Sequence, residues 1–516
     1  MRKSRAIKSI VSYLVYYIVV TLLGFYSKKV ILYYVGSELL GLNELLASII
    51  SMLSLVELGF GSAICYSLYK PLAENNEYEI CAIMYLYKRV YQIIGGVILI
   101  IGILLLPFLK LFVNTHISDA LIYEIYLILL IDTVLSYYLA YRRSIISADQ
   151  KEYIAILADT ITYIITLILQ IIVLILYKNF IAFLGIKIIF TLARNIYIYC
   201  KAGKMYPYIQ KHGKYILPQE TKEELINNVK AIFLGNIGCY MISGTDNMFL
   251  SLFVDLSAVY IYSNYKMIIT IVNSVFNQIF AYARATIGNY IVTNERDKTY
   301  SLFKKMFFMN YIVTSYTSIT MYVAINPFIN IWLGQEFCWP MLAVFLLLIK
   351  NYASMMNQVL EAFRAAAGLF APKKIFRYVA IIEGIANIII SVFLAKYLHM
   401  GIFGIFGGTV ISNLISVFTV PHIVYKYLFK ISIIQYLKKY ISYFMNTLIV
   451  CIFDIKILDI LNINNGIFAV IAGILSSTVV MFIYNYILYA RTEEFAYMKN
   501  SFIEIVAMIK SKSVQK

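Results

Sequence analysis

Long apolar runs alternate with short polar segments along almost the whole chain, and most runs reach the roughly 20 residues that an α-helix needs to cross the hydrocarbon core of a bilayer. Within the runs Leu, Ile, Val and Phe follow one another without the period-two alternation of a barrel strand. Backbone polar groups in hydrocarbon are satisfied only in helices or closed barrels. The pattern therefore predicts helical spans at 10–34, 39–68, 91–113, 118–141, 154–177, 180–202, 230–253, 256–289, 306–326, 339–363, 375–396, 402–425, 440–460 and 466–490, about 14 in all. The first run follows Arg2, Lys3, Arg5 and Lys8 and continues too far, without a small-residue cleavage site, to be a signal peptide, so a retained helix is expected.

The polar intervals add organisation. The longest, 203–229, carries Lys204, Lys211, Lys214 and Lys222, and after Pro218 the stretch Thr221-Lys-Glu-Glu224 is a capping box that would start the next helix. Beyond the last span, Phe495, Met498, Phe502, Val506 and Ile509 recur every three to four residues, which predicts an amphipathic helix on the membrane surface. The second half also echoes the first at an offset of about 220 residues: Val35 matches Val254, Asn75 matches Asn294 and, after a small indel, Arg143 matches Arg364. Six helices return the chain to its starting side, so the two copies have parallel topology, related by an axis along the membrane normal. The expected fold is all-α and integral to the membrane, with two six-helix lobes in pseudo-two-fold arrangement. The lobes are expected at 1–202 and 230–430, joined by a cytoplasmic loop at 203–229 and followed by two extra transmembrane helices in 431–490 and a cytoplasmic tail at 491–516.

Composition agrees with the bilayer as solvent: 61% of the 516 residues are hydrophobic and only 14% charged, with a mean hydropathy of +0.79. The net charge of +17 arises from 44 basic against 27 acidic residues. These lysines and arginines are dispersed among loops rather than gathered in one domain, so they argue for membrane topology and not for nucleic acid. With the N-terminus inside, about 35 basic residues fall in cytoplasmic segments and about four (Lys110, Lys178, Lys396, Lys456) outside, as the positive-inside rule requires. Both termini are then cytoplasmic, and Trp332 and Trp339 fall at the outer boundary, where an aromatic belt is expected. The six cysteines are far apart with no CxxC, and read as packing residues rather than metal ligands.

Charges inside spans are expensive and usually face a cavity or a partner. Lys28 and Lys29 interrupt the first span; they either snorkel toward the outer headgroups or line a cationic cavity. Their counterparts in the repeat are Asn247 and Met248, beside Asp246, so a Lys28–Asp246 pairing is a candidate. Glu44 and Glu57 lie on the second span about 140° apart around the helix axis. Glu57 is flanked by Gly59 and Gly61, which permit close helix approach, and serves either a structural ion pair or ion coupling. Lys266, Arg284 and Lys350 are further cations at depth, whereas Arg364 follows Glu361 by one turn and can pair with it locally. Lys350 has no acidic neighbour in sequence and is the strongest candidate to bind an anion. Glu124, Asp132, Asp159 and Glu383 either balance these cations or couple ions. The four histidines fall in loops or at span ends, and HExxH, GxSxG and P-loop motifs are missing, so neither an enzyme nor direct ATP drive is expected, and no cofactor.

Three stretches together carry a resemblance: Gly41-Leu-Asn-Glu-Leu-Leu with Ser54-Leu-Val-Glu-Leu-Gly-Phe-Gly-Ser-Ala63, Gly244-Thr-Asp-Asn-Met-Phe through Tyr260-Ile-Tyr-Ser-Asn-Tyr265, and Asn326-Pro-Phe-Ile-Asn-Ile-Trp-Leu-Gly334. In order and spacing they resemble the polysaccharide transporter family (O-antigen and capsular repeat-unit flippases) of the multidrug/oligosaccharidyl-lipid/polysaccharide exporter superfamily. Relatives often have Gly where this chain has Tyr260. The resemblance implies two lobes around a cationic cavity, alternating access, and undecaprenyl diphosphate-linked glycan as cargo in a bacterial plasma membrane. It also places the family's acidic positions on Asp246 and Glu57.

The function expected is thus a flippase for lipid-linked oligosaccharide repeat units in O-antigen, capsule or related glycan synthesis. Lys28, Lys29, Lys266, Arg284 and Lys350 would supply the positive field, and Glu57 and Asp246 ion coupling or inter-lobe pairing. Membrane lipid, a polysaccharide polymerase and glycosyltransferases are the partners this implies. The rivals are a cation-coupled multidrug antiporter of the same superfamily, a lipid II-type flippase and, from another class, a membrane polysaccharide polymerase, which would need catalytic groups and a larger external loop.

Overall fold

The computed structural model describes residues 2–54, 60–113, 115–210, 219, 223, 244–369, 378–462, 466–501 and 503; their regular structure is helical, with no strand among them. The helices are α1 (Arg2–Val35), α2 (Ser37–Leu53), α3 (Phe60–Glu74), α4 (Glu77–Leu105), α5 (Asp119–Ala140), the short α6 (Arg143–Ala148), α7 (Tyr153–Tyr177) and α8 (Phe180–Met205). After α9 (244–253) come α10 (Leu256–Thr293), α11 (Arg296–Trp332), α12 (Met341–Ala366), α13 (Val379–Val392), α14 (Gly401–Ile423), α15 (Ile434–Leu461), α16 (Gly466–Tyr489) and α17 (493–501). Among the described residues, nine helical segments are long and apolar enough to cross a membrane.

Local chemistry sets the boundaries. Gly36 turns the chain between α1 and α2 at a φ of 82°, which a side chain would disfavour. Asn76 caps α4 by accepting from the Glu79 N–H at 3.2 Å, and Asp255 caps α10 through the Ala258 N–H at 2.6 Å. Ser37 and Leu256 begin α2 and α10, and Glu77 and Arg296 begin α4 and α11; from 37 to 256 and from 77 to 296 is 219 residues each time. That interval matches the repeat read from the sequence.

Hydropathy underestimates two helices. α4 starts at Glu77, not near 91, because its first turns bury Ile80, Ile83, Met84 and Tyr87 against protein while their other face is polar. α11 starts at Arg296, not near 306, for the same reason, with Phe303 buried among charged neighbours. The expected span at 39–68 corresponds to α2 and α3; residues 55–59 lie outside the described set, as does the capping box at Thr221 and Glu224.

The chain divides into two compact units, one comprising residues up to 263 with 380–385, the other 264–379 with 386 onward. In the first, α7 packs between α1 and α8, α5 packs on α4 and α8, and α2 packs on α5. Polar side chains tie these helices: the Tyr126 hydroxyl donates to the Gly102 carbonyl at 2.9 Å, and the Gln170 amide donates to the Phe183 carbonyl at 2.9 Å.

In the second unit α11 is the central helix, packed on α12, α15 and α16. Its core is unusually aromatic: Phe303, Phe307, Phe308, Tyr311, Tyr436 and Tyr443 are all buried, and the Tyr311 and Tyr443 rings stack with centroids 4.1 Å apart. The two extra helices are fastened by polar contacts, Tyr311 to Asn485 at 2.9 Å, Ser315 to Thr447 at 2.6 Å and Ser477 to Asp454 at 2.5 Å. In α17, Phe495 and Met498 pack against this core, so the start of the amphipathic stripe rests on protein; Phe502, Val506 and Ile509 lie outside the described residues.

Trp332 and Trp339 depart from expectation. They are 8% and 6% exposed and form no lipid-facing belt. The indole of Trp339 stacks on Tyr265 at 5.0 Å, inside the protein rather than toward lipid.

Candidate functional site

Four polar residues of the first unit stand seven positions from a helix end: Lys28 before Val35, Glu44 after Ser37, Asp246 before residue 253, and Ser263 after Leu256. Seven residues is about 10 Å of helix rise, so they form one polar layer about two turns below the chain reversals. The backbones that carry it are held close. Gly41 lies so near α10 that a Cβ there would sit 1.7 Å from the Leu256 carbonyl oxygen, and Ser37 and Ser257 share a 3.0 Å hydrogen bond.

In this layer the Lys28 ammonium donates to Ser263 Oγ at 3.3 Å, stands 3.9 Å from the Glu44 carboxylate and lies 5.7 Å from the centroid of the Tyr260 ring. Ser263 directs its own hydroxyl hydrogen to the Tyr260 carbonyl at 2.9 Å, leaving a lone pair for the lysine. Asp246 is 3% exposed and accepts from the Tyr262 hydroxyl at 3.0 Å. Beside it, the Asn247 amide donates to Ser48 at 2.6 Å. A charge withdrawn from water is tolerable only when such partners replace hydration. Glu44 places a carboxylate beside Lys28, a pairing that sequence reasoning missed. The equal seven-residue spacings were the signal that could have found it.

The second unit holds a polar network that includes the motif residues Tyr265 and Asn326. The Trp339 N–H donates to Tyr265 Oη at 2.8 Å, Tyr265 donates to Asn326 Oδ1 at 2.5 Å, and the Asn326 amide donates to the Trp339 carbonyl at 2.9 Å. This closed ring joins α10, α11 and the segment before α12. Further along, Asn273 donates to Asn351 at 2.7 Å and Gln358 to Asn277 at 2.8 Å, an amide ladder between α10 and α12. Lys350 adjoins Asn351, nine residues or about 14 Å into α12. It is half-buried and makes no hydrogen bond or ion pair among the described residues.

The other sequence candidates are scattered. Lys29 is exposed, Lys266 is half-buried on α10, and Arg284 is exposed near the end of α10. Glu57 lies outside the described residues. Glu361 and Arg364 do pair, at 2.8 Å. Asp159 is shared by Arg143 at 2.9 Å and Arg194 at 3.5 Å, and Asp132 stands 3.9 Å from Lys187. Asp132 and Asp159 in the first unit thus have basic neighbours, whereas Lys350 in the second has no acid among the described residues.

No family model matches the chain, and no curated protein matches it by sequence. Solved structures do. A lipid II flippase, MurJ, in an inward closed conformation is similar with a TM-score of 0.64 and 15% identity, over 94% of this chain and 99% of that one. The Vibrio cholerae MATE transporter VcmN is similar with a TM-score of 0.55 and 15% identity, over 84% and 99%. A transporter of the MOP superfamily from Pyrococcus furiosus gives 0.55 and 11%, over 81% and 94%. At these identities the likeness is one of fold. With its many apolar helices, the chain is a multi-pass membrane protein that shares the fold of the MOP-superfamily transporters.

Proposed function

We propose that this protein is a flippase that carries undecaprenyl diphosphate-linked oligosaccharide repeat units across a bacterial plasma membrane by alternating access, for a surface glycan such as O-antigen or capsule. The observation that carries this reading is Lys350, a cation at mid-membrane depth on α12 with no anionic partner among the described residues. A lone ammonium in hydrocarbon costs several kcal/mol. Retaining one is reasonable where an anion arrives to pair with it, and a diphosphate is such an anion. The amide ladder beside it offers donors and acceptors of the kind that replace water around sugar hydroxyls. Lys266 and Arg284 in the second unit and Lys28 and Lys29 in the first are further cations on the helices that we assign to transport, while the polyprenyl tail stays in lipid. The similarity to a lipid II flippase over 94% of the chain, against 84% for a MATE transporter, supports the same choice.

A second reading, an ion-coupled antiporter of cationic drugs, is favoured by the buried Asp246–Tyr262 pair, which is suited to cation coupling. Asp246 and Glu57 are the coupling positions under either reading.

Proteoliposomes carrying a fluorescent undecaprenyl diphosphate-linked glycan decide between them. The wild-type protein should equilibrate the glycan between leaflets. Lys350→Ala should slow this at least about tenfold, the worth of one charge-assisted contact, and Lys350→Arg should retain most of it. Gradient-driven uptake of a cationic dye without glycan movement would establish the antiporter.

A further inference from the structure

Outside the polar layer and the amide ladder, the first unit has a groove of about 660 Å³ between α7 and α8. Leu157, Ile161, Ile165 and Phe190 form its apolar walls, and Arg194 and Lys201 are the cations that line it. The wall is open: Leu157 is 50% exposed and Ile161 57%, so no helix of this unit covers it. From Tyr153 to Ile165 the groove runs twelve residues, about 18 Å, from the end where α7 starts and α8 finishes to near mid-membrane. A bilayer core is about 30 Å thick, so that length is one leaflet.

Lys201 stands at the headgroup end, and Arg194 follows it down the groove. Lys201 lies four residues before the end of α8 and makes no hydrogen bond or ion pair among the described residues. Arg194, two turns deeper, bends its guanidinium to Asp159, six residues from the start of α7. Asp159 is already paired with Arg143, so this carboxylate serves two guanidinium groups, and Arg194 Nε is a buried donor with no acceptor. With Glu152, which also pairs with Arg143, the group of Arg143, Arg194 and Lys201 against Asp159 and Glu152 carries one positive charge in excess.

We infer that the α7–α8 groove is a binding site for an anionic glycerophospholipid, with the lipid phosphate at Lys201, its ester region at Arg194, and one acyl chain along Leu157, Ile161, Ile165 and Phe190. The match is of three features together: one leaflet of apolar wall, a lysine at the interfacial end unpaired among the described residues with a partly satisfied arginine below it, and local positive excess. A zwitterionic lipid fills the wall equally well but gains less from the cations. The site is separate from the transport residues and does not depend on what cargo the protein moves.

Native mass spectrometry of the purified full-length protein, titrated with phosphatidylglycerol or phosphatidylcholine, tests this. Wild type should retain phosphatidylglycerol in preference. Lys201→Gln should cut that preference about fivefold, the contribution of one basic residue near a headgroup, while Lys201→Arg and the control Lys88→Gln, at an exposed lysine on α4, keep it. In vesicles, a tryptophan at the exposed Ile161 (I161W) should be quenched more by brominated phosphatidylglycerol than by brominated phosphatidylcholine. Equal quenching by the two lipids, an unaltered preference in Lys201→Gln, or displacement by excess inorganic phosphate, which would mark a bare anion site, would overturn the proposal.

Discussion

At the scale of single residues, the consequences of a substitution depend on how little room or how few partners the site leaves. Gly41→Ala places a methyl group 1.7 Å from the Leu256 carbonyl, a backbone atom that cannot swing aside, so α2 and α10 must separate. We expect a fall in thermal midpoint of several degrees in detergent and loss of transport, whereas Gly96→Ala, where a Cβ meets nothing within 4 Å, should be neutral in both assays. Tyr265→Phe removes the hydroxyl that both accepts from Trp339 and donates to Asn326. Interhelical hydrogen bonds in membranes contribute about 1–2 kcal/mol at most, so unfolding in a denaturing detergent titration should shift by about that amount. Asn326→Ala should cost a similar amount, and the double variant should be less than additive, because both break one ring. Additive costs would show that the three residues do not act together.

At the scale of helices, the second unit is held by α11, whose aromatic and hydroxyl side chains meet α15 and α16 through Tyr311–Asn485 and Ser315–Thr447. These two helices complete the core and are not an appendage. A chain ending at 430 should therefore fail to give a monodisperse peak in size-exclusion chromatography, even though both repeats remain. Tyr443→Ala, which opens a cavity beside Phe307, Phe308 and Tyr311, should destabilise by about 3–5 kcal/mol, read as a lower midpoint in a thermal-shift assay. A shift near zero would mean that this stack is not load-carrying. Helical register also brings Tyr265, Asn326 and Trp339 to one level from three different segments.

At the scale of the whole molecule, transport should follow the sign of the cargo. If the cations at depth act on a diphosphate, glycan translocation should be faster for a diphosphate-linked lipid than for the same glycan on a neutral lipid, a comparison that leakage cannot mimic. The apolar runs alone established a multi-pass helical protein, because a bilayer imposes the same demand, about 20 apolar residues, on every span. The inner extensions of α4 and α11 escaped hydropathy, since a helix that buries one face against protein and shows water the other has no apolar run to count. The belt expected of Trp332 and Trp339 failed for a related reason: hydropathy gives depth along the normal but not direction around a helix. Only the packed helices decided that Lys28 meets Glu44 and Ser263, that Tyr262 holds Asp246, and that Lys350 stands without an acid among the described residues, because side-chain partners depend on the rotation of each helix and on how closely glycine lets two backbones approach.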